Sequence, residues 1–443
     1  MLHAKPGVAF AARIVAAAAI SVTAVGAAHG GTLTQLYSFP TANNGGAPLL
    51  NAQPVLTKKG QLFGTAGYGF TGANMFGDVF SLTPPKKTST TWKHTVLYGF
   101  KGGVPNSTDG YGPFDGLTEA APGVFYGFTA FSGPVAQVGC GLIYQLKAPP
   151  KGQTAWAYTV LYRFQGSDVG DGCNPENEAP LISVDGSIYG TTMNGGGPPY
   201  DVGTLFQLHP PTGGGTAWTE SVLWRFRGGI LADGSNPMGS LVADSDGDLF
   251  GTTSAGGNSS LGTVWEYATT TGTFLKLHDF LGGADGAEPM AGLTGPLPGP
   301  LLSKAYYYGT TAYGGGAAGC DSGCGTLFAV AMGGGSAFEG TVHAFAGGTD
   351  GAYPHTNLFF NASGLWGTTT EGGTGECSDG CGTIFNLGFT RFGWNYGVSY
   401  SFELGTSGDP ETGLTGDSIG HLYGMTKEGG GSRAGGTVFE YSP

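Results

Sequence analysis

A short motif of the form Leu-Phe-Gly-Thr-Thr recurs seven times and constrains the fold more than any other feature of the chain. One clear copy runs from Leu249 to Thr253. The central glycines of the seven copies are Gly64, Gly127, Gly190, Gly251, Gly309, Gly367 and Gly424. They lie 63, 63, 61, 58, 58 and 57 residues apart. A fixed period of this size is typical of a repeat architecture, in which each copy is one supersecondary unit.

Each repeat contains four strand-like segments, which we name A to D. The motif is segment B, and after a Gly-rich gap it is followed by segment C, as in Gly262 to Trp265. Segment D has the form Leu-x-x-Phe, as in Leu223 to Phe226, and a turn of the form Asp-Gly-x-x-Pro comes next. Segment A then ends in a leucine such as Leu241. No stretch has a sustained helical period, so the sequence predicts an all-β protein.

Four antiparallel strands in about 60 residues, repeated seven times, predict a seven-bladed β-propeller of four-stranded antiparallel blades. The phase of the repeat predicts how the ring closes. The chain enters the repeats with a D segment at Leu33 to Phe39 and ends with a C segment at Thr437 to Tyr441. In a closed ring this first strand completes the C-terminal blade, which removes the open ends of a linear stack. We therefore predict a single propeller domain over residues 29–443.

The first 28 residues are predicted to be a secretory signal peptide. Lys5 and Arg13 supply the positive start, an apolar run covers residues 14–28, and Gly26 and Ala28 suit cleavage after Ala28. The alternative is a membrane anchor, but the run is short for a spanning helix of about 20 apolar residues. We expect a secreted or periplasmic protein with no membrane insertion after signal cleavage.

The charge of the mature chain excludes two classes of partner. Removal of residues 1–28 takes away two of the 18 basic residues and none of the 31 acidic ones, so the net charge becomes 16 − 31 = −15. Nucleic acid and anionic lipid surfaces attract Lys- and Arg-rich patches, and the chain has no basic stripe. We expect no nucleic-acid partner.

The six cysteines predict disulfides, because an even number in an exported chain is typical of an oxidising compartment. Two Cys-x-x-x-Cys pairs occupy the same place in consecutive repeats, just before segment C. A fifth cysteine holds that place in an earlier repeat, and the sixth lies in the loop that follows. The alternative is a zinc site built from both pairs, although they belong to neighbouring units. The predicted disulfides are Cys140–Cys173, Cys320–Cys324 and Cys377–Cys381.

The order of the motifs resembles a known family. Leu-Tyr-Gly-Thr-Thr, Gly-Gly, Gly-Thr-Val-Phe, Leu-Tyr-x-Phe and Asp-Gly-x-x-Pro follow one another as in the tandem repeats of bacterial exported GloVer (Gloeobacter/Verrucomicrobia) proteins, over roughly residues 33–443. The resemblance implies a propeller and transfers no activity and no catalytic residue. Members often carry a C-terminal sorting anchor, whereas Val438 to Pro443 has none. That departure favours a secreted or periplasmic protein over surface attachment.

Three possible sites of chemistry have simpler structural interpretations. Gly416 to Gly420 fits the Gly-x-Ser-x-Gly elbow of hydrolases, but it occupies the turn between segments A and B. Asp244, Asp246 and Asp248 lack the distal glutamate of a calcium loop. The eight histidines never pair at metal-ligand spacing. The sequence therefore predicts no catalytic, cofactor-binding or metal-binding residue.

The loops offer the best candidate for function. In a four-stranded blade the D-to-A and B-to-C loops leave from the same face, and here they are the longest loops and contain all six cysteines. Binding residues concentrate in such loops. A hypothesised acidic ring at the channel mouth consists of Asp109, Asp171, Asp233, Asp285 and Asp350. The alternative is that each Asp caps its own turn.

The leading functional hypothesis is an exported, non-enzymatic, monomeric binding module for an extracellular glycan or protein. One alternative is a propeller enzyme, a lyase or metal-dependent hydrolase, with its site at the channel mouth, and another is a structural cell-envelope module. An enzyme should break the repeat with a single-copy cluster of titratable residues. The sequence offers only scattered candidates, namely Glu176, Glu178, Asp321 and Asp379. Three or more acids or histidines converging near the axis with shifted pKa values would favour the enzyme.

Overall fold

The computed structural model of the chain describes residues 31–40, 52–67, 76–86, 91–102, 108–132, 139–176, 179–229, 232–297, 305–317, 319–332, 338–390, 393–403, 407–429 and 434–443. The predicted signal peptide and the candidate Glu178 lie outside these residues. Within the described ranges, no helix is long and apolar enough to cross a membrane.

The described residues form seven four-stranded antiparallel blades of a β-propeller, as predicted. The repeat therefore specified both the fold class and the number of blades. In the first four blades, strands A to D are, in that order, in blade 1, Val55–Leu56, Leu62–Ala66, Asp78–Thr83 and Lys93–Gly99; in blade 2, Thr118–Ala121, Val124–Thr129, Leu142–Lys147 and Ala157–Arg163; in blade 3, Leu181–Ile182, Ile188–Thr192, Thr204–His209 and Thr219–Arg225; and in blade 4, Val242–Ala243, Leu249–Thr253, Thr263–Ala268 and Thr273–Asp279. In the last three blades they are, in blade 5, Thr294–Leu297, Ala305–Thr311, Thr326–Met332 and Phe338–Ala344; in blade 6, Phe359–Asn361, Gly364–Thr369, Thr383–Thr390 and Gly393–Ser401; and in blade 7, Thr415–Gly416, Leu422–Thr426, Ala434–Ser442 and Thr32–Pro40.

Blade 7 closes the ring by pairing the two ends of the repeat region. Strand Thr32–Pro40 lies antiparallel to Ala434–Ser442, with Thr32 opposite Ser442. The N-terminal strand thus supplies strand D of the last blade, as the phase of the repeat predicted. The loops contain further short elements. These are the strand pairs Gly110–Tyr111 with Phe131–Ser132, Gly172–Cys173 with Asn194–Gly195 and Ser407–Gly408 with Glu428–Gly429, and the 3-10 turns Ser167–Val169, Gly283–Asp285 and Gly348–Asp350.

Strand A lies nearest the axis of the ring. Ser240 and Asn357 flank the A strands of blades 4 and 6, which are not neighbours in the ring, yet Asn357 Nδ2 donates to Ser240 Oγ at 2.8 Å. Asn357 Oδ1 also accepts from the backbone N–H of Gly292 in blade 5 at 2.9 Å. Residues of three blades can meet only close to the axis. Strand D is accordingly the outer edge of each blade.

The glycine of the repeated motif is required by packing. A Cβ atom on Gly251 of strand B would lie 2.4 Å from the indole of Trp265 in strand C, closer than real carbon contacts. Trp265 is fully buried, as are the equivalent aromatic side chains of the other blades. Adjacent blades then stack their strand-B aromatics, as in Phe250 and Tyr307, whose ring centroids lie 4.9 Å apart. The repeated aromatics are therefore the core between blades.

The two threonines of the motif connect strands and blades. Thr252 Oγ1 donates to the backbone carbonyl of Ala291 in the next blade at 2.8 Å. Thr253 Oγ1 lies 2.8 Å from Thr263 Oγ1 in strand C of its own blade. All three threonines are buried, and buried hydroxyls are expected to find partners. The Thr-Thr pair is thus explained by the architecture alone.

Candidate functional site

One face of the propeller carries the long loops, and we call it the long-loop face. The D-to-A and B-to-C loops of a blade pair with each other there: Gly172–Cys173 pairs with Asn194–Gly195, and Ala352 bridges to Glu371. This contact shows that both loops leave each blade on the same side, as the strand order requires. The short A-to-B and C-to-D turns lie on the opposite face.

Three disulfides cross-link loops of the long-loop face. They are Cys140–Cys173, Cys320–Cys324 and Cys377–Cys381. These are the three pairs expected from the sequence, and together they use every cysteine in the chain. No thiolate is left for the zinc alternative. Disulfides of this number are typical of an extracytoplasmic protein.

The five repeated aspartates hold their own turns against strand D. Asp109 Oδ2 accepts from the hydroxyl of Tyr98 at 2.8 Å and from the backbone N–H of Lys101 at 3.0 Å. The same pairing, with a strand-D side chain and a backbone N–H just after that strand, surrounds Asp171, Asp233, Asp285 and Asp350. Because strand D is the outer edge of the blade, these carboxylates lie at the periphery. The contacts match the alternative, in which each Asp caps its own turn.

The two histidines that share a repeat position make the same kind of contact with the aspartate of the following turn. His278 Nε2 lies 3.1 Å from Asp285 Oδ2, and His343 Nε2 lies 3.0 Å from Asp350 Oδ2. Tyr98 and Tyr162 fill this place in blades 1 and 2. The histidines therefore serve as interchangeable partners of the turn carboxylate and not as metal ligands.

A second set of residues, those that follow the Pro of each turn, precedes strand A, and we assign it to the channel mouth because strand A lies nearest the axis. There the chain has crossed the face from the outer edge and is about to begin strand A. The described members of this set are Phe114, Glu176, Met238, Met290, His355 and Glu411. The set changes character around the ring, because it is apolar in blades 4 and 5 but titratable in blades 6 and 7.

A cluster of titratable side chains lies on the titratable side of the mouth. We define the mouth cluster as His355, Asp409, Glu411 and Lys427. Lys427 Nζ lies 2.7 Å from Glu411 Oε1 and 3.6 Å from Asp409 Oδ2. Lys427 directly follows the motif of blade 7. The residues at its position in the other repeats are uncharged, namely Gly67, Ala130, Met193, Ser254, Ala312 and Thr370. The cluster is therefore a single-copy feature.

Burial shifts the acid–base properties of the mouth cluster. Desolvation, aided by the charge of Glu411, raises the pKa of Asp409 to about 6 in spite of Lys427. Desolvation also lowers the pKa of His355, an effect that Glu411 opposes. Desolvation opposes the charged form of Lys427, but its hydrogen bond to Glu411 and the two carboxylate charges outweigh this and raise its pKa. Burial thus favours the neutral imidazole of His355, whereas pairing with the carboxylates favours the ammonium form of Lys427.

Glu411 is incompletely satisfied. The residue is only 7% exposed, and its Oε2 is buried and receives no hydrogen bond from the described residues. Nε2 of His355 is likewise buried and has no partner within the described part of the chain. Buried polar atoms without partners are rare in native proteins and call for an explanation.

The rim beside the mouth cluster is acidic and aromatic. The rings of Tyr313 and Tyr353 meet edge to face, with centroids 5.5 Å apart. Burial raises the pKa of Tyr353, and the charges of Glu371, Asp321 and Asp379 add to this effect. The last two are the aspartates of the disulfide loops. Asp321 also lines an open cleft of about 490 Å³ beside the Cys320–Cys324 loop.

The remaining sequence candidates are structural turns. Asp417 Oδ1 accepts from the backbone N–H groups of Ile419 and His421 at 3.0 Å, so the Gly-x-Ser-x-Gly segment is a capped turn. Asp244 Oδ1 accepts from Asp246 and Asp248 in the same way, at 2.9 and 3.0 Å. Across the described ranges, no group of three or more His, Cys, Asp or Glu side chains is placed to hold a metal ion.

The mouth cluster was not predicted from the sequence, although its residues depart visibly from the repeat. When the seven copies are placed in register, Lys427 is the only charged residue at its position, and Glu411 and His355 share another position that is apolar elsewhere except at Glu176. The predictions rested on motifs that recur in every repeat. A search for departures from the repeat would have found these residues.

Comparison with solved structures identifies the architecture. The structure aligns with an ancestral GH74 enzyme at a TM-score of 0.53 and 9% identity, covering 90% of this chain and 48% of that chain. It also aligns with a putative 6-phosphogluconolactonase from Bacteroides uniformis (TM-score 0.47, 11% identity, 79% and 83% covered). A Trypanosoma rangeli sialidase aligns at a TM-score of 0.42 and 10% identity, with 83% and 58% covered. The first of these alignments shows the fold alone, and nothing is concluded from the other two.

Sequence comparison identifies the family. No curated protein matches the chain. The family model described as Gloeobacter/Verrucomicrobia repeat matches residues 93–318, just over half of the chain. That span holds strand D of blade 1, all of blades 2 to 4 and the beginning of blade 5. The chain belongs to the Gloeobacter/Verrucomicrobia repeat family.

Proposed function

We propose that the protein is an exported, non-enzymatic propeller that binds an extracellular glycan or protein at the channel mouth of its long-loop face. One observation carries the proposal. Among the described residues, the mouth cluster is a single-copy group in which the buried Glu411 leaves one oxygen without a hydrogen bond, whereas most polar residues of the repeats have partners within or between the blades. The disulfides support the extracytoplasmic part of the proposal.

The mouth cluster has no evident role in stability. The other blades close on the same axis without a lysine at the position of Lys427, so the architecture does not require one. A buried acceptor without a hydrogen bond opposes folding by about 1–3 kcal/mol. Groups that a protein retains against such a penalty are concentrated at functional sites. Binding of a ligand that pairs with Glu411 would recover this free energy.

The test is a binding screen of the mature protein with matched variants. Immobilised glycans and extracellular proteins are screened first, and the dissociation constant of the best ligand is then measured for each variant. We expect Asp409→Asn/Glu411→Gln to weaken binding. Asp244→Asn/Asp246→Asn makes the same change of charge on the opposite face and is expected to leave binding unchanged. Equal effects of both double variants would contradict a site at the mouth.

A propeller enzyme is the second candidate, and the mouth cluster is also the observation that favours it. Two carboxylates in different environments, one with a pKa raised to about 6, are a common arrangement for acid–base chemistry. Two acids or histidines with shifted pKa values belong to the cluster, Asp409 and His355, and a third with a raised pKa, Glu176, precedes strand A of blade 3. An enzyme would bring three such groups together. Turnover of a polysaccharide by the wild type, abolished in Asp409→Asn, would place the enzyme first. If no ligand and no substrate is found, a structural cell-envelope role remains.

A further inference from the structure

We infer that the mouth cluster is a receptor site for a lysine or arginine side chain of a basic protein segment, and that Lys427 occupies this site in the free protein. The inference rests on the proposed binding function of the long-loop face and specifies the chemistry of the partner. The geometry of the cluster, its charge and the unequal exposure of its side chains support this inference.

The geometry is that of a cation site. Lys427 Nζ lies 2.7 Å from Glu411 Oε1 and 3.6 Å from Asp409 Oδ2, so these two oxygens are at most 6.3 Å apart. An ammonium group thus already sits between the carboxylates, which shows that the site has the size and polarity for one. A guanidinium group offers more donors and pairs with two carboxylate oxygens at once.

The charge of the site is incompletely balanced. Two carboxylates face one ammonium group, and burial keeps His355 neutral at physiological pH. Glu411 Oε2 is buried and is not hydrogen-bonded by any described residue. A carboxylate with one oxygen engaged and the other unsatisfied is a strong acceptor in a low-dielectric setting. A neutral hydroxyl would satisfy the hydrogen bond, but only a cation would also balance the charge.

Lys427 is the movable member of the cluster. Its side chain is 41% exposed, whereas that of Glu411 is 9% exposed. Exposed ammonium groups are well solvated, and their ion pairs are weak. Rotation of Lys427 into water would therefore open the site while the carboxylates keep their places. In this arrangement Lys427 competes with the partner for the same two acids.

The surroundings extend the site toward the rim. Tyr313 and Tyr353 pack edge to face, and the charges of Glu371, Asp321 and Asp379 act on Tyr353. Aromatic faces and carboxylates are both attractive to cations. One basic side chain in the mouth cluster and further basic residues along this rim fit a segment with several lysines or arginines.

The experiment uses the mature protein and two fluorescein-labelled octapeptides, one of alternating Lys and Gly and one of alternating Gln and Gly. Fluorescence anisotropy at low salt gives the dissociation constants. We expect the Lys peptide to bind and the Gln peptide not to bind. Glu411→Gln should weaken binding about tenfold, the size of one charge-assisted hydrogen bond. Lys427→Met should tighten binding about threefold or more, because the competitor is removed.

The controls separate a site from general attraction to an acidic protein. Asp244→Asn/Asp246→Asn should change the affinity by less than about twofold, as expected for charges that are distant and screened. Asp409→Asn is the alternative if Glu411→Gln fails to give the wild-type circular dichroism spectrum. The inference is overturned if Lys427→Met weakens binding, or if the opposite-face variant weakens it as much as Glu411→Gln.

The outcome also separates this inference from the proposed function. Binding of a neutral glycan, weakened by Asp409→Asn/Glu411→Gln but without binding of the Lys peptide, would reject the basic partner and retain the mouth as the binding site. Absence of both kinds of binding would reject both. Binding of the Lys peptide that is insensitive to every mouth variant would reject the receptor site.

Discussion

The propeller contains two kinds of buried polar group, those that recur in the repeats and those that occur once at the mouth. In the repeats, Thr253 and Thr263 bond to each other at 2.8 Å, and equivalent pairs recur in blades 3, 5, 6 and 7. At the mouth, Glu411 is nearly as buried but leaves Oε2 without a hydrogen bond from the described residues. Residues that recur with full satisfaction serve the architecture. A single-copy group that opposes folding is the better candidate for function.

The repeated residues packed between the blades predict the largest change in the free energy of unfolding. Trp265→Ala removes a fully buried indole from its contacts with Gly251 and Phe226. We expect the free energy of unfolding to fall by about 3–5 kcal/mol, through lost burial and the cavity left behind. Urea unfolding followed by fluorescence measures it. A loss below about 1 kcal/mol would show that the aromatic core between blades is not what stabilises the ring.

The threonine pairs predict a smaller loss. Thr253→Val keeps the shape of the side chain but removes its hydrogen bonds, so the buried hydroxyl of Thr263 loses a partner. We expect a decrease of about 1–3 kcal/mol in the same unfolding experiment. Thr271→Val, at an exposed turn on the opposite face, is the matched control and should be nearly neutral. Equal losses would mean that the repeated pair is not special.

The mouth cluster predicts the smallest change in the free energy of unfolding, and this change is an increase. Asp409 has a pKa of about 6 in the folded protein, against an ordinary value of 3.8. A raised carboxyl pKa favours folding at low pH, and this contribution disappears as the pH rises through the folded value. Asp409→Asn should therefore match the wild type below pH 4 and be more stable above pH 6, by about 1 kcal/mol after allowance for exposure.

Thermal unfolding of the two proteins between pH 4 and 7 measures this difference. The variant curve should separate from the wild-type curve over the interval between the ordinary and the folded pKa values of Asp409. A variant that is less stable at every pH would show that Asp409 belongs to the framework after all. Such a result would remove the contrast on which the functional proposal is based.

The parts of the fold that were predictable are those encoded in local, periodic signals. The number of blades follows from counting one motif, and the closure follows from the phase at Leu33 and Tyr441, which pair in the structure. The Cys320–Cys324 and Cys377–Cys381 bonds join residues four positions apart, so their proximity needs no knowledge of the tertiary fold. The Cys140–Cys173 bond was accessible because both residues fall in loops on one face.

The candidate site was not predictable in the same way. The repeated aspartates illustrate the limit: a recurring Asp indicates a recurring environment, and the motif does not say whether that environment faces the axis or the outer edge. Asp109 Oδ2 accepts from the hydroxyl of Tyr98 in strand D and from the N–H of Lys101 just after it. Which donors are nearest depends on the path of the whole loop across the face.

The sequence by itself determined the all-β class, the seven blades, the strand order and the pairing of the first strand with the last blade. These follow from residues that are close in sequence and repeated. Only the tertiary structure decided that His355, Glu411 and Lys427 form one cluster, because they come from three separate loops that meet where blades 6 and 7 approach the axis. Burial at that meeting point, which no local pattern encodes, lowers the pKa of His355 and leaves Glu411 Oε2 without a hydrogen bond from the described residues.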